Sequence, residues 1–145
     1  MTSALLVAFS SSSSVATIPM TTKCLIEDLN YKQENVNFII PLGATINMDG
    51  TALFDVVAVI FIDQFYGIEV SYIDQFLVLA WALITSIGVA GIPSASFVAI
   101  LVILSAVGLP FEAVGIILGI DRVLDMLRTS VNVFGDSCCV SVLGK

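Results

Sequence analysis

The 145-residue sequence is 58% hydrophobic and 12% charged, with a mean hydropathy of +1.06, far more apolar than a soluble domain. Five basic residues against twelve acidic ones leave a net charge of −7, so no basic surface exists to neutralise phosphates and nucleic acid is not a partner. Histidine is absent, which removes Ser-His-Asp and Cys-His catalysis and leaves the usual zinc sites short of their commonest ligand. Composition therefore points to a membrane protein. Cys24, Cys138 and Cys139 have no metal-ligand spacing and read as free, buried thiols.

At the N-terminus there is no basic region or cleavage pattern of a signal peptide, and the apolar run 4–9 is too short to span a bilayer, which takes about 20 helical residues. It reads as the end of a helix whose beginning is missing. Five serines, Ser10 to Ser14, follow, and then Pro19 at a position suited to a first helical turn. A non-helical tip between two short helices fits this pattern, and a flexible serine linker is the alternative. Between residues 20 and 34 the chain turns polar, with Lys23, Glu27, Asp28, Lys32 and Glu34, and meets water.

Residues 36–46 and 52–67 are apolar and together long enough to span, but Asn47-Met-Asp-Gly-Thr51 interrupts them. Unwound backbone at that depth survives only where it is buried in protein or lines a cavity, so a broken helix is predicted. Its carbonyls and the oxygens of Asn47, Asp49 and Thr51 are hard ligands suited to alkali cations. After a polar turn at 69–74, two apolar arms of about ten residues each, 76–85 and 97–107, flank a tip rich in small residues, Ser86 to Ser96. Neither arm spans alone. A re-entrant hairpin accounts for both features, with one long Gly/Pro-kinked helix as the alternative. Gly108-Leu-Pro110 turns into the last helix.

That helix carries most of the chemistry. At about 100° per residue, Asp121, Asp125, Arg128, Asn132 and Asp136 share a stripe roughly 60° wide, with Thr129 beside it. Val123, Leu124, Leu127 and Val131 take the other side. Two signs of charge with amide and hydroxyl inside apolar sequence are costly unless something polar is bound there. An internal Arg128–Asp125 ion pair at i, i+3 is the competing reading.

The serine-rich tip, the Asn47-Met-Asp-Gly-Thr51 break, the small-residue second tip and Asp125-x-x-Arg128-Thr-x-x-Asn132-x-x-Gly-Asp136 occur in that order. In this order and spacing, over essentially all 145 residues, they resemble the C-terminal half of the dicarboxylate/amino acid:cation symporters, the glutamate transporter family. The resemblance implies an all-α membrane protein: a truncated first hairpin (1–34), a broken helix (35–70), a second hairpin (71–109) and an amphipathic last helix (110–145). Together these form most of a transport domain without its scaffold helices, in the plasma or inner membrane and homotrimeric at full length.

It also implies roles. Arg128 would hold the side-chain carboxylate of an acidic amino acid, for which a planar fork of donors is suited. Asp125 would pair with its amino group, Thr129 and Asn132 would bond its amino-acid end, and Thr51 would reach the distal carboxylate. The tip backbones near Ser13, Ser14, Gly91 and Ile92 would close over it. One sodium cage would use the Asp136 carboxylate with carbonyls of Gly43, Asn47 and Asn132. A second would use carbonyls of Thr45, Ser86, Ile87 and Val89. A third would join Asn47 and Asp49 to ligands from an earlier helix that this sequence does not contain. These are oxygen cages for sodium, with no other cofactor. Val89 stands where many members have a small or hydroxyl residue, and Ser94-Ala-Ser96 replaces a more glycine-rich run, so the second tip departs from the pattern. Asp55 occupies the position where proton-coupled members carry a glutamate and sodium-only members an amide. It is a candidate proton carrier, or else a carboxyl hydrogen-bonded to a neighbouring helix throughout.

The expected function is sodium-coupled transport of glutamate or aspartate by an elevator-type domain moving in the lipid membrane. A proton-coupled dicarboxylate carrier, a passive pore and an inactive truncated fragment are the alternatives.

Overall fold

The computed structural model describes residues 1–67, 71–88, 95–108 and 110–143, and among these there is helix but no strand. The helices are α1 (Thr2–Ser11), α2 (Ser14–Lys23), α3 (Gln33–Ile46), α4 (Asp49–Tyr66), α5 (Tyr72–Gly88), α6 (Ala95–Val107) and α7 (Val114–Leu143). They fall into two compact units, Met1–Gly50 with Val123–Lys145, and Thr51–Arg122.

In the first unit the serine run is mostly helical, not a linker. Only Ser12, in the left-handed region at φ 51°, and Ser13 stand between α1 and α2, and Ser13 Oγ caps α2 by accepting the Ala16 N–H at 3.2 Å. This cap starts α2 one turn earlier than the proline suggested, so Pro19 lies inside the helix and not in its first turn. Thr17 and Thr21 are buried, and their hydroxyls donate to the carbonyls of Ser13 and Thr17 in the preceding turn, which settles their polarity locally. The polar stretch after α2 begins with a π-helical turn, Cys24–Asp28, and the chain reverses only beyond it, where Asn30 takes φ 57°. Its charged residues are exposed as expected, while Cys24 and Leu25 are buried. Leu25, Val36, Ile40 and Val140 form the apolar core of this unit.

In the second unit, α4, α5, α6 and the start of α7 meet around Val59, Ile62, Val78, Ala82, Ile103, Leu104, Val114 and Ile117. Helices α5 and α6 pack against each other. Both exceed the expected ten or so residues, at 17 and 13, because Tyr72 to Gln75 and Ser86 to Gly88 also join α5 and Ala95 and Ser96 join α6. Gly108, at φ 74°, makes the turn into α7, and Pro110 caps a short 3-10 turn, Phe111–Ala113. Residues 89–94 of the second tip, Val89, Gly91 and Ile92 among them, lie outside the described residues.

Exposure is inverted relative to a soluble protein. On α4 the outward stripe is Leu53, Val57, Phe61 and Phe65, and on α7 it is Val123, Leu127, Val131 and Phe134. Buried positions include Asp55, Asp63, Arg128, Asn132 and Asp136. Continuous apolar stripes of this size facing outward suit lipid or protein, not water. Among the described residues, Gln33–Tyr66 is long and apolar enough to cross a membrane, broken at Asn47 and Met48.

Candidate functional site

The site is built where the α3–α4 break meets the middle of α7, within the first unit. Helix α3 ends because Asn47 leaves helical geometry, at φ −102° and ψ 71°, while its N–H still bonds the Gly43 carbonyl at 2.8 Å. The break is shorter than the five-residue polar insert: only Asn47 and Met48 are non-helical, and Asp49 already begins α4. This turn frees the Asn47 side chain to donate from Nδ2 to Asp136 Oδ1 at 2.9 Å.

Asp136 approaches α3 because residue 43 has no side chain. A Cβ there would collide with Oδ1 of Asp136 and lie 2.8 Å from its Cγ. The Asp136 carboxylate, the Gly43 backbone and Asn47, three members of the expected first cage, are therefore close together, with Asn132 one turn away on α7. Asn47 Nδ2 also lies 4.0 Å from the Cys139 sulfur. A carboxylate with main-chain carbonyls fits a hard monovalent cation.

Asn132 faces the same break. Its Oδ1 accepts the Gly50 N–H at 2.7 Å, satisfying one of the free donors at the start of α4, and its Nδ2 donates to Met48 Sδ at 3.3 Å. Thr129 is buried beside it. Asp49 is exposed, with its Oδ2 3.2 Å from where a Cβ on Gly135 would stand.

Arg128, 5% exposed, and Asp125 form the internal ion pair that was the competing reading: Nε and Nη2 both lie 3.0 Å from Asp125 Oδ1. A guanidinium this buried is costly without an anion, and its nearest carboxylate supplies one.

The remaining candidates are more scattered. Ser13 caps α2 and Ser14 is buried at its start. Thr45 is exposed and donates to the Leu42 carbonyl at 2.7 Å. In the second unit, Thr51 and Ser86 are buried, Ile87 is half exposed, and Asp55 has no exposed surface at all. Of the residues expected to form the second cage, Thr45 lies in the first unit, Ser86 and Ile87 lie in the second, and Val89 lies outside the described residues. Of the cysteines, all three are free, but only Cys24 is buried; Cys138 on α7 is exposed, because its helix position turns away from the Asp136 face.

Reading the sequence missed four contributors to this site: Met48, Gly50, Gly135 and Cys139. The glycines lay inside motifs already quoted, Gly50 where α4 meets the main chain of α7 and Gly135 against the side chains of Asn47 and Asp49. The reading also missed Asp63, whose Oδ1 is buried with no hydrogen-bond partner among the described residues.

The sodium:dicarboxylate symporter family matches residues 1–145. The chain is 47% identical to an excitatory amino acid transporter of Caenorhabditis elegans over 130 residues, 90% of this chain and 26% of the relative. It is 44% identical to the mouse excitatory amino acid transporter 3 over 145 residues, 100% of this chain and 28% of the relative. It is 47% identical to the human excitatory amino acid transporter 2 over 130 residues, 90% of this chain and 23% of the relative. The chain spans about a quarter of the length of these curated relatives.

Proposed function

Because the chain belongs to the sodium:dicarboxylate symporter family, we propose that it forms most of the moving part of a sodium-coupled carrier for acidic amino acids. One observation carries the reading: Arg128 and Asp136 are both buried on one face of α7, while Leu127 and Val131 on the other face are about half exposed. Eight residues of helix separate the two charges by about 12 Å, room for an amino acid at one end and a cation at the other.

In this mechanism the substrate's distal carboxylate takes a place on the Arg128 fork, and Asp125 turns from the arginine to the substrate's amino group. The exchange keeps every buried charge opposed. Thr129, Thr51 and the tip backbones near Ser13, Ser14, Gly91 and Ile92 complete the substrate's hydrogen bonds. Sodium, as cargo, sits against Asp136 with carbonyls of Gly43, Asn47 and Asn132; Thr45, Ser86, Ile87 and Val89 form the second place, and Asn47 with Asp49 contributes to a third. Residues 1–34 and 71–109 act as re-entrant hairpins around the broken helix, residues 35–70, and the last helix, residues 110–145. The loaded domain then crosses the cell membrane against scaffold helices in a homotrimer.

The test is a chimera in which residues 1–145 replace the matching quarter of the human excitatory amino acid transporter 2, reconstituted in liposomes. An inward sodium gradient should drive uptake of labelled aspartate. Uptake that ignores the gradient would falsify the reading. Proton coupling is a second reading favoured by one observation, the complete burial of Asp55 on α4.

A further inference from the structure

Two glycines of the broken helix lie against the two residues of α7 that carry the site's opposite charges, Gly50 against the main chain of Arg128 and Gly43 against the side chain of Asp136. At Gly50 a Cβ would collide with the Arg128 carbonyl oxygen, 3.1 Å from the Arg128 carbonyl carbon and 3.0 Å from the Val131 Cβ. At Gly43 its three nearest atoms would all belong to Asp136, the carboxylate and, at 3.3 Å, the Cβ. The two contacts run antiparallel: seven residues apart on the broken helix, eight apart on α7. Between them stand the Gly50 N–H to Asn132 bond and the Asn47 to Asp136 bond, one beside each glycine.

We propose that Gly50 and Gly43 are positioning residues that set the two ends of the site independently, Gly50 fixing Arg128 and Gly43 fixing Asp136. The assignment of those ends to an acidic substrate and to sodium rests on the function proposed above; the positioning itself does not. The physical basis is the absence of slack. At Gly50 the obstacle is main chain, fixed by the hydrogen-bond ladder of α7, so an added methyl moves the turn that carries Arg128. At Gly43 the obstacle is a side chain, so an added methyl turns the Asp136 carboxylate away and breaks its bond from Asn47, leaving the backbone of α7 in place. The next glycine on α7, Gly135, has a milder contact, 3.1 Å to Asn47 Nδ2 and 3.2 Å to Asp49 Oδ2, and serves as a graded control.

The experiment uses the 145-residue chain in detergent micelles, with nitrogen-15 resonances of the Arg128 Nε–H and the Asn47 side-chain amide as local reporters. Sodium and aspartate titrations follow on the same samples. Gly50→Ala should move the Arg128 resonance, leave the Asn47 pair in place, and weaken aspartate at saturating sodium by tenfold or more. Gly43→Ala should move the Asn47 pair, leave Arg128 in place, and raise the sodium requirement by tenfold or more, with aspartate affinity at saturating sodium within twofold. Gly135→Ala should move the Asn47 pair by less than Gly43→Ala does. Independent positioning is overturned if each alanine disturbs both reporters alike, if neither reporter moves, or if either variant loses its dispersed spectrum. Should the resonances separate as stated while neither sodium nor aspartate binds, the positioning stands and the functional assignment of the two ends fails.

Discussion

Asn47 and Asp136 lie 89 positions apart in sequence, yet the amide of one donates to the carboxylate of the other at 2.9 Å, across the break of one helix and the middle of another. Removing this donor leaves a buried carboxylate oxygen short of a partner, at about 1–3 kcal/mol. Asn47→Leu should therefore lower the chain's stability to denaturation in detergent by about that amount. It should also raise the sodium requirement of aspartate binding by roughly tenfold, the equivalent of about 1.4 kcal/mol. An unchanged denaturation midpoint and sodium titration would mean that the bond does not hold the carboxylate.

Asp136→Asn tests the charge itself. Asp136 is the only formal charge among the proposed ligands of the first cage, so the amide should raise the sodium requirement by far more than tenfold, with the preference for aspartate over neutral amino acids retained. The check is aspartate binding against a sodium series, with serine and alanine as competitors. If selectivity changes and the sodium dependence persists, the two ends of α7 have the reverse roles.

Arg128→Thr removes the cation and leaves Asp125 in place. Losing the partner of a buried carboxylate costs several kcal/mol, so aspartate binding should fall below detection while serine or alanine begins to bind. Calorimetric titration with the three amino acids decides it; full aspartate affinity in the variant would count against the arginine as the carboxylate's partner.

Asp55→Asn separates the two coupling readings. If Asp55 carries a proton, uptake by the chimera depends on pH and the asparagine variant loses that dependence while sodium-driven exchange continues. Uptake that is indifferent to pH before the substitution, or equally pH-dependent after it, makes Asp55 structural.

The polar face of α7 was legible in the sequence because helical periodicity places Asp125, Arg128, Asn132 and Asp136 on one side without any knowledge of neighbours. The break was legible for a similar reason: asparagine, aspartate and glycine stand together inside apolar sequence. Its extent was not, because whether Asp49 leaves or begins a helix depends on Asn132 capping Gly50 from α7, a tertiary contact. Pro19 misled for a local reason, since the cap at Ser13 outweighed one missing hydrogen bond. The Arg128–Asp125 pair was recognised as geometrically possible, but spacing alone does not choose between a neighbouring carboxylate and a ligand's. Glycine close approaches at 43, 50 and 135 are invisible in one sequence, because a glycine that admits another backbone and one that merely turns the chain are the same letter.

In the proposed function, one buried face of α7 binds an acidic amino acid at Arg128 and sodium at Asp136 together. Equilibrium binding of labelled aspartate to the detergent-solubilised chimera, titrated with sodium and then with potassium, tests this most directly. Saturable binding that requires sodium, is not supported by potassium and is displaced by glutamate is the predicted result. Aspartate binding of equal affinity in both salts, or none in either, would contradict it.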